Sequence, residues 1–201
     1  MTSRYQKIVQ DAEQAGLLER QNGYQDAISE GFHRTDTGNA QRLVARHGNR
    51  LRYCYPWGCW LVWDGRRWAR DATGGVLAQA KATVATIYTE AAAEQDDGRR
   101  QALGKWAADS ESERRIAAMV SLARSEPGIP VLPAELDADP WVLNCVNGVL
   151  DLRTGQRRPH DPARLLTKLA PVEYDPTARY ALWDAFLEAA IPDPDTRQYV
   201  Q

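Results

Sequence analysis

Cysteine is scarce in this chain: Cys54, Cys59 and Cys145 are the only three among 201 residues. So few, and an odd number, exclude the disulfide framework that staples small secreted domains. No apolar run approaches the length of a membrane span. The opening residues, MTSRYQKIVQDAEQ, are polar and lack the apolar segment of a secretory signal. The expectation is a cytoplasmic protein without membrane contact. Lysine is rare as well, four residues beside twenty-one arginines. Net charge is nevertheless only −2 and the pI near 6.0, which excludes nucleic-acid binding by bulk charge. Internal repeats, low-complexity tracts and a G-x4-GK[ST] phosphate-binding loop are all missing. Without that loop the chain alone is not expected to hydrolyse nucleoside triphosphates.

Metal and nucleophile chemistry find little support. Cys54 and Cys59, with His33 and His47 upstream, could be offered as zinc ligands. Zinc sites usually show tight paired ligands, and no second pair follows. Glu135, Asp137 and Asp139 form an acidic cluster that could hold a metal ion or serve a nuclease. They sit in a connecting segment before a proline, which reads as a solvated loop. His160 reads as a turn residue beside Asp161, and no serine or cysteine has a nucleophile's context.

What is present suffices for a core: 43% of residues are hydrophobic and 26% charged. Residues 3 to 31 read as one or two helices, with Ile8, Val9, Ala12, Ala15, Leu17 and Leu18 at helical spacing. Asp36 or Thr37 is placed to cap a short helix with Ala40, Leu43 and Val44 on one face, ended by Gly48–Asn49. A strong amphipathic helix over 75–94 follows, then EQDDGRR as a polar joint, then one or two helices up to Glu126–Pro127–Gly128. PGIPVLPAELDADPW reads as an extended connection. Asn147–Gly148 and Thr154–Gly155 are turn signals for short hairpins near 142–158. LLTKLAPVEYDP is extended. ARYALWDAFLEAAI is a helix with Leu182, Phe186, Ala189 and Ala190 on one face, and TRQYVQ begins a further helix that stops in mid-turn. The chain therefore reads as cut rather than finished. The expected class is α+β, mostly helical, divided into an N-terminal helical segment (1–32), an α+β domain (33–176) and a helical tail (177–201).

The densest signal is RLRYCYPWGCWLVWDGRRWARD, residues 50 to 71, which holds four of the seven tryptophans. Asp64–Gly65 and Trp57–Gly58 are turn signals, giving a meander with strands near 50–55, 59–63 and 66–70. Alternation puts Leu51, Tyr53, Tyr55, Trp60 and Val62 on a face to be buried. The other face carries Arg52, Cys54, Leu61, Trp63, Arg66, Trp68 and Arg70. That second face suits cation–π packing within a core, and it also suits stacking on bases. Charge favours contact with phosphate: Arg42, Arg46, Arg50, Arg52, Arg66, Arg67 and Arg70 face a single acid, Asp64, between residues 42 and 70. The candidate nucleic-acid residues are Arg50, Arg52, Arg66, Arg67, Arg70, Trp63 and Trp68.

From Phe32 onward the motif order resembles a known family. The Asp-x-Gly-Asn-Ala of Asp36–Ala40 is followed by Trp60-x-x-Trp63-Asp64-Gly65-x-x-Trp68. LNCVNGVLDLRTGQRRPHDPARLLTKLAPVEYDPTARYALWDAFL then supplies an Asn-Gly-Val hairpin, a His-Asp-Pro turn, a threonine–lysine strand, Tyr-Asp-Pro and Trp-x-x-Phe-Leu. Together these resemble the domain that precedes superfamily 3 helicases in phage and plasmid primases and in the poxvirus primase–helicase. The resemblance implies a module without catalysis of its own, assisting DNA engagement and ring assembly in replication. Its implied partners are single-stranded or forked DNA, the helicase domain and neighbouring subunits in a homo-oligomer. ATP and magnesium would belong to the helicase domain, whose first helices would begin at Tyr199–Gln201. The alternatives are a docking or oligomerisation module without DNA contact, and a stand-alone DNA-binding or inhibitory prophage protein.

Overall fold

Thr35, rather than Asp36 or Thr37, caps the first helix: its hydroxyl accepts from the Gly38 N–H at 3.0 Å, satisfying one of the orphan donors of a helix start. This helix, α1, spans Asp36–His47 in the computed structural model, which describes residues 32–178 and 180–200. The helices expected over residues 3–31 lie outside them.

A 3-10 turn, Gly48–Arg50, leads into an antiparallel sheet of β1 (Leu51–Cys54), β2 (Cys59–Trp63) and β3 (Trp68–Arg70). Leu51 lies opposite Val62, Tyr53 opposite Trp60, and Trp63 opposite Trp68. The expected alternation holds within strands shorter than expected; Tyr55, expected on the buried face, lies instead in the β1–β2 turn and is exposed, and Arg66 lies in the β2–β3 turn. Helices α2 (Gly75–Ala93), α3 (Asp97–Ser110) and α4 (Glu113–Ala123) follow. EQDDGRR is mostly helix rather than joint, because Asp96 accepts from the Arg99 N–H at 2.7 Å and caps α3. Ala40 and Leu43 from α1, Val76, Ala80 and Val84 from α2, and Ile116 and Met119 from α4 close over Leu51, Tyr53 and Trp60.

The proline-rich connection is paired rather than free. Tyr53 N–H donates to Ile129 O at 2.8 Å, and Val131 N–H donates to Tyr53 O at 3.0 Å. A short parallel edge is thus added to β1 at Pro130. Val131 and Leu136 then cover Cys54, Leu61, Trp63 and Trp68, so the second face of the meander has its own core.

The two later turn signals build a second antiparallel sheet, β4 (Val142–Cys145), β5 (Gly148–Asp151) and β6 (Arg157–Arg158). Gly148 sits at φ 145° where a Cβ would lie 2.5 Å from Arg158 O, so only glycine fits. Residues 165–172 stitch the sheets together. Trp68 N–H donates to Leu166 O at 2.8 Å, Ala170 N–H to Asn144 O at 2.8 Å, and Val146 N–H to Val172 O at 2.9 Å.

Helices α5 (Ala181–Ala190) and α6 (Pro194–Val200) close the described chain. The apolar face expected of α5 does not pack inward: Leu182 is 89% exposed and Phe186 is exposed too. Leu187 is buried instead, about 100° round the helix from Phe186. The class is α+β. Among the described residues no helix is long and apolar enough to cross a membrane.

Candidate nucleic-acid interface

The arginine cluster of the sequence separates into different roles once folded. Arg42, 1% exposed, donates through Nε and Nη2 to Glu90 at 3.1 Å and through its η nitrogens to the carbonyls of His33 and Phe32. Arg46 shares Glu90, at 3.0 Å. Arg52 lies over the Trp68 ring at 4.7 Å and donates to Gly48 O and Leu51 O; burial lowers its pKa. These three guanidiniums hold the fold together, and Arg52 is corrected from the expected interface to the packing of the meander.

Trp63 and Trp68 are corrected likewise. They are 9% and 1% exposed, their rings tilted by 56° against each other at 5.7 Å, and Trp68 Nε1 donates to Pro162 O at 2.9 Å. A base needs an open ring face; these faces are closed by Leu61, Val131 and Leu136. The exposed indole of the meander is Trp57, with Arg70 over its ring at 5.3 Å. The sequence offered one signal for it: a tryptophan inside a turn has less to pack against than one inside a strand.

The remaining candidates stand at opposite ends of the meander. Arg70 and Trp57 lie toward the β1–β2 turn. Arg50, Arg66 and Arg67 lie at the β2–β3 turn, where Arg50 Nη2 donates to Trp63 O at 3.3 Å. Arg67 faces Asp64 at 3.5 Å. Asp64 also accepts from the N–H groups of Arg66 and Arg67, which fixes the turn. The Arg66 side chain makes no hydrogen bond or ion pair among the described residues. His47, behind this end, has its pKa held below the ordinary value by burial and then by Arg46 and Arg50.

Several motif residues prove architectural. A Cβ on Gly38 would stand 2.0 Å from His33 O. Asn39 is buried, donating to Ser110 Oγ at 3.0 Å and accepting from Trp106 Nε1 at 3.1 Å. Asp36–Gly38–Asn39–Ala40 is thus a packing motif that joins α1 to α3, a role the sequence reading missed. Glu135, Asp137 and Asp139 are not simply solvated. Glu135 accepts from Leu132 N–H, Asp139 from Trp141 N–H, and Asp137 from the Thr167 amide and hydroxyl. His160 Nε2 bonds Cys145 O at 2.9 Å, tying its turn to β4. Cys54 and Cys59 face each other across β1 and β2 as free thiols. Among the described residues no group of three or more His, Cys, Asp or Glu side chains is arranged to hold a metal ion.

Residues 40–192 match the family model described as D5 N terminal like. The chain belongs to that family. It is the family of the N-terminal domain of phage and plasmid primase–helicases, a setting in DNA replication with a helicase domain as partner. No curated protein matches the chain. The match runs from α1 to the end of α5, and so takes in both sheets and the segment that joins them.

Proposed function

We propose that this domain is the non-catalytic N-terminal module of a phage, prophage or plasmid replicative primase–helicase. It engages single-stranded or forked DNA and assists assembly of neighbouring subunits in a homo-oligomer. The observation that carries the reading is the family match over residues 40–192. The exposed guanidiniums of Arg50, Arg66 and Arg70 support the DNA contact. A poxvirus-like variety of the parent protein fits the tryptophan and Asn-Gly-Val motifs. ATP and magnesium would serve the helicase domain, since the residues here supply neither a phosphate-binding loop nor, among those described, a metal-ligand group. The protein acts in the cytoplasm on this reading.

A second reading, protein docking without DNA contact, is favoured by α5. Leu182, Trp183 and Phe186 are exposed, Trp183 and Phe186 stack at 5.6 Å, and with Tyr180 they line a depression of about 650 Å³. Contiguous exposed apolar surface marks interaction sites.

Replacing Arg66, Arg67 and Arg70 together by glutamine separates the two. The expected outcome is weaker binding of single-stranded or forked DNA, most evident at low salt, with the thermal transition nearly unchanged because exposed charges contribute little to folding. A variant that binds DNA as wild type does but fails to assemble with the helicase would favour docking.

A further inference from the structure

Three of the cations whose side chains have no hydrogen bond or ion pair among the described residues come from distant stretches of sequence, on elements that converge between the two sheets. The Asn144 side chain, 5% exposed on β4, marks the place. Its amide donates to Arg66 O at 3.0 Å and to Lys168 O at 2.8 Å, so the β2–β3 turn, β4 and the stitching segment converge on one side chain. Asn144 pairs with Val149, and Val149 with Arg158, all in one row across the second sheet. Two strand spacings of about 4.8 Å put Arg158 roughly 10 Å from Asn144. Arg66, Lys168 and Arg158 are exposed, and among the described residues their side chains form no hydrogen bond or ion pair. Arg157 differs: its guanidinium donates to Asn147 O at 2.5 Å.

A further observation makes the seam more than a chance grouping: the backbone that carries Lys168 is ordered by Asp137. Asp137 and Leu165 both take positive φ, 51° each, and Asp137 N–H donates to Leu165 O at 3.2 Å. The Asp137 carboxylate accepts from the Thr167 and Lys168 amides, which orders the backbone beneath Lys168. The bordering acids are already engaged, Asp137 here and Asp64 by Arg67 and its own turn.

We infer that this seam, edged by Arg66, Lys168 and Arg158, holds the phosphate backbone of single-stranded DNA. The inference rests on the DNA-binding reading above and relocates its centre from the tryptophan face to the joint between the sheets. Binding here is independent of sequence, because Trp63 and Trp68 are closed to bases and the three cations offer only charge and donors to phosphate.

Arg158→Gln with Lys168→Gln, in the full chain, tests it by titration of fluorescent oligothymidylate over a range of salt. Two lost phosphate contacts should weaken binding on the order of tenfold at low salt and flatten the log–log salt dependence by about 0.7 per contact. Arg158→Lys with Lys168→Arg should keep the wild-type slope. The thermal transition of each variant, measured in parallel, reports folding. If the double glutamine variant keeps wild-type affinity and slope while the Arg66, Arg67, Arg70 triple variant loses binding, the seam is wrong and the DNA reading survives. If wild type binds and neither variant changes binding, the seam falls; if the wild-type chain itself binds no oligothymidylate, both fall. A loss in the charge-conserving pair equal to that of the glutamine pair would also overturn the seam, since charge would then not be its basis.

Discussion

In the first sheet both faces are buried and the strand arginines, Arg52 and Arg70, lie over indole rings. Leu51, Tyr53 and Trp60 pack under helices, Trp63 and Trp68 under the returning connection, and Arg52 lies across Trp68. In the second sheet Leu143, Leu152 and the whole of β6 are exposed, and Arg158 has no partner among the described residues. Both are three-stranded antiparallel meanders of similar size. The difference is cover. A strand buried on two sides must neutralise or bond every charge it carries, because an unpaired buried charge is expensive. An edge strand in water can leave its charges free. The density of arginine along the sequence is therefore a poor guide to free positive charge on the surface.

The largest expected effect comes from opening the first sheet's second core. Trp68→Ala should destabilise by about 3–5 kcal/mol, the range for removing a buried indole. The loss includes its hydrogen bond to Pro162 O and its contact with Arg52. Chemical denaturation of the variant, compared with Trp141→Ala on the exposed side of the second sheet, measures the contrast. A Trp68→Ala variant as stable as Trp141→Ala would show that the two sheets do not differ in cover.

Arg42→Gln comes next. Removing one member of a buried pair usually costs 3–5 kcal/mol, but Glu90 is partly exposed and can be rehydrated, so about 2–3 kcal/mol is expected. Phe32 O and His33 O also lose donors. Lysine at position 42 should not restore the loss, because an ammonium cannot reach three acceptors in the plane that the guanidinium spans. Equal stabilities of Arg42→Gln and Arg66→Gln in urea would contradict the division of the arginine cluster into structural and free members.

These two residues show how much was legible beforehand. The meander, its alternation and its turns were readable, because Asp64–Gly65 and a period of two are local signals. The α2 helix and the Asn147–Gly148 hairpin were readable for the same reason. The fate of each arginine was not, since Glu90 stands 48 residues from Arg42. Nor could alternation alone say that Val131 and Leu136 would return to cover Trp63 and Trp68. Lys168 and Arg158 carry no local signal, because neither sits in a charged run with Arg66; Asn144 links their elements only in the folded chain. The face of α5 failed for a related reason. Helical spacing gives a stripe, but whether anything meets that stripe is a tertiary fact.

The smallest effect concerns two aspartates, one just after a strand of the first sheet and one at the end of a strand of the second. Asp71, after β3, accepts from the amides of Thr73, Gly75 and Val76 at the start of α2. Burial alone would raise its pKa, yet these backbone donors outweigh burial and hold it below the ordinary value. Asp151, at the end of β5, accepts from Arg153 and Thr154 amides, and these bonds lower its pKa as well. Asp71 anchors a helix of 19 residues, whereas Asp151 shapes one exposed turn. Asp71→Ala should therefore cost about 1 kcal/mol, as for other helix-start caps, and Asp151→Ala less. The pH dependence follows from the sign of the shift. A carboxylate with a depressed folded pKa adds stability that is fully present above its unfolded value, near 3.9, and disappears as pH falls through the lower folded value. The gap between wild type and Asp71→Ala should be constant near neutrality and narrow below about pH 4. Thermal melts of both variants from neutral to acid pH measure it. A gap that persists undiminished at the acid end would mean that Asp71 acts through packing rather than through its charge.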